Sequence, residues 1–383
     1  MNKFDFKSHN AEVKEVWKAY HSGQPIRIPM ILGLSSRYFM FNAATNPKNI
    51  SYKEYTENPD LMFDLQVRFE HFRRMNIPAD YEMGLPEEGW TVMIDFQNYF
   101  DAVWLGGHLR YIDGNVPCSE PILTDDNKNM LFEKGFPDAF SGLMERGRNY
   151  YEYFQEKAKN YSFEGVKVNS IFPAFLYSDG PFTVACNIRG TTEFCIDLYE
   201  DPEYAHNLLS YITDATIYRL TEWRKYMGLP VIQDTMGFAD DSILLLSKDM
   251  YKEFVLPYHK KLCDALTNNK KGNSIHLCGD ATRHYKTISE EINVKNFDTG
   301  FPVKHGELVK ELGPDVAIQG GPHVELLKSG SELEIENEVK RIIEEVKGHS
   351  KKFILRDGNN VAPYTPIKNI EAMYNACKKY GKY

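Results

Sequence analysis

The sequence is short of three things, and each shortage removes a class of function. Positive charge is outweighed: 45 lysines and arginines stand against 54 aspartates and glutamates, a net charge of -9 with a pI near 5.7. A nucleic-acid or anionic-membrane surface needs a basic face, so neither is expected as a partner. Long apolar runs are missing too. No stretch approaches the roughly 20 apolar residues of a membrane span, and residues 1–20 are charged and unlike a signal peptide. A cytoplasmic location is expected. Paired cysteines are the third shortage. Cys118, Cys186, Cys195, Cys263, Cys278 and Cys377 are scattered without a C-x-x-C pair, which fits reduced thiols rather than a disulfide framework. Internal repeats, low-complexity tracts and linkers are also wanting, so residues 1–383 read as one domain with a helical extension over 1–25.

What is present is an alternation of short apolar runs and amphipathic stretches. Ser274–Leu277 reads as a strand, followed by Cys278, Gly279 and Asp280. Further strands are predicted at Val294–Phe297, Val316–Gln319 and Lys352–Leu355, each ending in polar or glycine residues. Arg27–Gly33, Thr91–Phe96, Val166–Phe172 and Leu229–Gln233 bring the number to eight. Helical spacing runs through Ala11–Tyr20, Asp60–Met75, Asp138–Lys159, Asp201–Met227, Ser247–Thr267 with a break at Pro257, Leu308–Leu312 and Leu333–Val346. Residues 113–127 read as an excursion from this pattern. Strand, helix, strand with chemistry at the strand ends predicts an α/β TIM (β/α)8 barrel whose site lies at its C-terminal face.

In an extended strand, residues two apart share a side. His276 and Cys278 therefore present an imidazole and a thiol together, which is half of a zinc site. The plain alternative is a buried strand with a hydrogen-bonded histidine and a small core cysteine. Asp298 and Gln319, at later strand ends, either touch substrate or cap the strands. Asp234, Asp240 and Asp241 follow the fourth predicted strand, where at least one is expected to cap a helix. Arg37 and Tyr38 follow the first, with a surface ion pair and a packed ring as the ordinary reading. Tyr38, Phe39, Phe41, Phe96, Tyr99, Phe100 and Trp104 are mostly core on composition alone; any that line the barrel mouth favour an aryl substrate.

Four segments together resemble the uroporphyrinogen decarboxylase superfamily, which includes zinc-dependent, cobalamin-linked methyltransferases. They are Gly180 to Ala185; Phe238 to Asp241 with Phe254 to Tyr258; His276 to Gly279; and Gly358 to Asn369. The resemblance implies a TIM barrel and, through His-x-Cys-Gly, the methyltransferase branch with His276 and Cys278 as zinc ligands. That branch supplies a further cysteine in the turn after the last strand, where this chain has Asn359. The decarboxylase branch carries a histidine near that place and an Arg-Gln-Ala-Gly-Arg-like segment after its first strand, where this chain reads Gly33-Leu34-Ser35-Ser36-Arg37. With Asn359 there, a third ligand falls to Asp234, Asp298 or Glu325.

The expected activity is methyl transfer between a small methylated compound, an O-methyl aromatic for preference, and the cobalt of cobalamin carried by a partner corrinoid protein. Asp298 and Asn359 are the catalytic candidates. Arg37, Tyr38, Phe96, Asp234 and Gln319 are the substrate-binding ones. The rivals are a metal-free decarboxylase-like lyase using Arg37, Arg189 and Arg356, and a non-catalytic binding protein. A homodimer is in keeping with the superfamily.

Overall fold

The computed structural model describes residues 5–383 and divides them into two compact units. The first gathers residues 5–93, Phe154–Phe172 and Phe297–Tyr383; the second gathers Ile94–Tyr153 and Pro173–Asn296. Both are α/β, with parallel strands separated by helices, the class predicted for this barrel order.

In the first unit the N-terminal helix Phe6–His21 starts where Asp5 accepts the Ser8 N–H and buries Val13 and Val16. Helix Pro59–Asn76 is capped by Asn58, with proline in its first turn, and buries Met62, Phe63, Leu65, Val67 and Phe69. Strands Ala317–Gly320 and Phe353–Leu355 pair in parallel, Leu355 opposite Gly320. Between them helix Glu332–Lys347 opens on a Ser331/Glu334 capping box and turns Ile335, Val339, Ile342, Ile343 and Val346 inward. Helix Ile367–Tyr380 packs against it.

In the second unit strand Gly237–Ala239 pairs in parallel with Asn273–Leu277, setting Ala239 opposite His276. The connection runs through a 3-10 turn, Asp241–Leu245, a π-helical turn, Tyr251–Val255, and helix Leu256–Leu266. The long helix Pro202–Tyr226 starts under Asp201, whose side chain accepts the Tyr204 N–H, and buries Leu208, Leu209, Ile212 and Trp223. The predicted excursion begins in a short antiparallel pair, His108–Arg110 with Cys118–Glu120.

Two predicted strands differ. Arg27–Gly33 makes only isolated bridges, through Arg27 and Met30. Ile31 still donates its N–H to the Leu355 carbonyl at 3.0 Å, but the Met30 N–H donates to Asp80 Oδ2 at 2.6 Å, the Leu32 N–H donates to the Tyr81 hydroxyl, and Pro29 has none. Leu229–Gln233 is not a strand either, and the ladder forms eight residues later, at Gly237–Ala239. The helix predicted from Asp138 begins at Leu143.

Candidate metal centre

The second unit brings three different donor atoms to the ends of two adjacent strands. His276 lies on Asn273–Leu277 and Cys278 directly follows it. The His276 Nε2 stands 3.0 Å from Cys278 Sγ and 3.8 Å from Asp241 Oδ1. The donor atoms of Asp241, His276 and Cys278 all lie within 4.8 Å of one another, and all three residues are half-buried. Asp241 is tied to this strand end by the Cys278 backbone N–H, which donates to its Oδ1 at 2.7 Å.

Next to Asp241, Asp240 turns the other way and is fully buried. Its carboxylate accepts the Thr183 N–H and Oγ1–H, each at 2.7 Å, and lies 2.8 Å from His259 Nε2. His259 Nδ1 in turn lies 3.1 Å from the Tyr251 hydroxyl. Asp240 thus caps helix Pro181–Arg189 from a distance, satisfying first-turn donors that no local side chain reaches. Of the two consecutive aspartates, one caps a helix and the other faces the donors.

A second buried carboxylate braces the neighbouring segment. Arg219, fully buried, donates to Asp101 Oδ1 and to the Phe175 carbonyl, each at 2.5 Å. Burial pushes the Asp101 carboxyl up, against the pull of Arg219. Asp179 is driven well above the carboxylate range by burial and then by the charges of Asp101, Asp241 and Asp240. His284, behind the 3-10 turn, donates from Nε2 to the Ile243 carbonyl at 3.0 Å, and burial lowers its pKa to about 4.

The other sequence candidates have surroundings of their own. Asp234 precedes its strand instead of ending it; the exposed carboxylate lies 3.0 Å from Asn268 Nδ2 and 3.5 Å from Lys271 Nζ. Phe96 is core, packed on Tyr150 and Phe175. In the first unit, Tyr38 is buried and donates to the Thr365 carbonyl at 3.1 Å, while Arg37 sits half-buried on helix Ser36–Met40. Asp298 is ion-paired with Arg356. The Gln319 carbonyl accepts the Thr299 hydroxyl at 2.9 Å. Asn359 donates its N–H to the Asp357 carbonyl at 2.8 Å. Glu325 accepts from Ser329 at 2.6 Å on helix Val324–Ser329. The carboxylate that stands with His276 and Cys278 is that of Asp241. A groove of about 620 Å³ under the excursion, lined by Trp104, Met130, Phe136 and Tyr211 among others, contains none of the three donors.

Strand ends of an α/β fold here gather a nitrogen, a sulfur and an oxygen donor, a set able to hold one metal ion. The chain belongs to the uroporphyrinogen decarboxylase (URO-D) family, whose model matches residues 167–380. It is 27% identical over 215 residues to a methylated-thiol–coenzyme M methyltransferase of Methanosarcina mazei, covering 56% of this chain and 55% of that one. It is 24% identical over 203 residues to the methylcobamide:CoM methyltransferase MtbA of Methanosarcina acetivorans, covering 52% and 56%. A uroporphyrinogen decarboxylase of Anaeromyxobacter matches at 26% over 217 residues, covering 55% and 59%. The chain thus spans little more than half the length of the curated relatives it matches. A solved methyltransferase from Methanosarcina mazei shares the fold, with a TM-score of 0.67, 17% identity and coverage of 96% of this chain and 98% of that one. Among the described residues, no helix is long and apolar enough to cross a membrane.

Proposed function

We propose that the chain is a methyltransferase that moves a methyl group between a small methylated compound and the cobalt of a corrinoid carried by a partner protein. The observation that carries this reading is the mixed donor set at one strand end. One imidazole nitrogen, one thiol sulfur and one carboxylate oxygen within 4.8 Å fit a single Zn2+, and three protein ligands leave a position for substrate, as catalytic zinc requires. The two methyltransferase relatives support the same reaction class.

His276, Cys278 and Asp241 would hold the ion, which when bound supplies Lewis acidity to the substrate heteroatom. The remaining work belongs to the chain. Cys278 holds Asp241 in place through its backbone N–H, and Asp240 anchors the start of the 3-10 turn. An oxygen donor in place of a second thiolate makes the set harder and favours oxygen over sulfur on the substrate. On that ground methyl ethers come first, as in an O-demethylase. Phe96, Tyr99, Phe100 and Trp104 are buried, so aryl and alkyl ethers belong in the same panel.

The lyase reading needs arginines to hold a polycarboxylate. Arg189 is already engaged by Asp197 and Asp125, and Arg356 by Asp298. The test is methylcobalamin formation from cob(I)alamin with zinc-loaded protein and a panel of methoxyarenes, alkyl methyl ethers and methyl thioethers. Folded, zinc-loaded protein that transfers from none of them sinks the proposal.

A further inference from the structure

Another polar side chain is in register with these donors. Asp179 makes a parallel bridge with Ala239, and Ala239 is paired in parallel with His276. Registered partners in a parallel sheet point to the same face, at about 4.8 Å per strand. Asp179, Ala239 and His276 therefore form one row across three segments, and the middle member offers only a methyl group. The register thus sets only that methyl group between the Asp179 and His276 positions, whose backbones stand roughly 10 Å apart on that spacing.

The backbone around Asp179 is fixed from several sides. Its N–H donates to Asp101 Oδ2 at 2.9 Å, and Asp101 is itself locked by Arg219. The Ala239 N–H donates to the Ser178 carbonyl at 3.2 Å, and the Gly180 N–H donates back to the Ala239 carbonyl. Arg219 also donates to the Tyr177 carbonyl at 3.2 Å. Against this, the half-buried carboxyl of Asp179 makes no hydrogen bond among the described residues. A polar group removed from water without a partner costs free energy unless it meets one in the working state. Rigid support for a side chain that the fold itself does not use is how a substrate-contacting group is held.

We infer that Asp179 is a further substrate-contacting residue, its carboxylate accepting a hydrogen bond from a hydroxyl group of a small hydroxylated compound across Ala239 from His276. The choice of an oxygen compound rests on the methyl-transfer reading; the direction of the carboxyl does not.

The test compares wild type, Asp179→Ala and Asp179→Asn as intact zinc-loaded chains. Three quantities are read: zinc per chain, guaiacol binding by calorimetry, and the rate of methylcobalamin formation from guaiacol and cob(I)alamin. Because the side chain makes no hydrogen bond among the described residues, zinc content stays at the wild-type level in both variants. The guaiacol dissociation constant rises about tenfold or more in Asp179→Ala, the scale of one lost hydrogen bond to a buried polar group. Asp179→Asn, whose amide oxygen still accepts, recovers most of it. Guaiacol binding equal in wild type and Asp179→Ala, no binding to any of the three, or loss of zinc with the carboxyl each overturns the inference. If no donor yields methylcobalamin while Asp179→Ala still weakens guaiacol binding, the inference stands and methyl transfer falls.

Discussion

The Asp240 carboxylate fills the space that a Cβ on Gly180 would need. Gly180 has an ordinary extended backbone, with φ -71°, so the demand is for volume and not for a left-handed conformation. Gly180→Ala is therefore expected to push Asp240 off the first turn of helix Pro181–Arg189. A loss of about 1–3 kcal/mol or more, the usual cost of overpacking, is expected in chemical denaturation. Stability within error of wild type would show that the segment gives way freely.

Metal binding follows the three donors. Purified without chelator, the wild type is expected to carry about one zinc per chain, and His276→Ala and Cys278→Ser to carry little. Asp241→Asn keeps its shape and hydrogen-bonding reach but loses charge. It is expected to weaken zinc on the order of 10–100-fold in competition with a chelator, at least the cost of a lost outer-shell partner. Asp234→Asn, at the other end of its strand, is expected to change nothing; a loss of zinc there would contradict the register.

Two buried histidines give the fold an acid limit. Burial lowers both His284 and His305 to about 4. An unfolded histidine takes its proton near 6.5, so between 6.5 and 4 the unfolded chain holds more protons and stability rises with pH. Acidifying from pH 7 to 5 is expected to cost up to roughly 2 kcal/mol per histidine. Both ring nitrogens of His305 lack a hydrogen-bond partner among the described residues, so His305→Leu should remove its share of the slope. Denaturation midpoints at the two pH values decide; parallel curves for variant and wild type would refute this.

Arg219 and Asp101 are both buried and 2.5 Å apart. Arg219→Leu strands the carboxylate and is expected to cost about 3–5 kcal/mol. Adding Asp101→Leu removes the stranded charge, so the double variant is expected to be more stable than Arg219→Leu alone. Additive losses in a double-mutant cycle would mean that the two side chains are uncoupled.

The repeating order of strands and helices was legible because long helices such as Pro59–Asn76 and Glu332–Lys347 carry caps and an apolar stripe. Short strands were legible where β-branched residues dominate, as around Ile275 and Val294. Gly237–Ala239 has almost no such signal, since glycine and alanine fit a strand poorly; the apolar run before it attracted the assignment instead. That slip misplaced Asp234 and hid Asp241. An Asp-Asp-Ser run after a strand reads as helix capping, and one of its two acids does just that. What separates them is the register of Ala239 with His276, a long-range fact. An acid directly after a strand neighbouring His-x-Cys was the available clue. The arginine Arg27–Asp80 pair, at 2.7 Å, and the Tyr81 hydroxyl likewise took over the donors of Arg27–Gly33 from 50 residues away, beyond any local pattern.

The π-helical turn Tyr251–Val255 decides whether His259 can meet Tyr251 across eight positions. Eight positions along an ordinary α-helix, at about 100° each, leave two side chains some 80° out of phase. A π turn absorbs one extra residue, so Tyr251 and His259 come within about 20° of alignment and their 3.1 Å contact closes. The wide turn is thus a timing device written into chain length. Removing one residue between Tyr251 and Pro257 would restore a regular spiral with the two side chains seven positions apart, about 700° on and still within roughly 20° of alignment, so their contact is expected to outlast the loss of the wide turn.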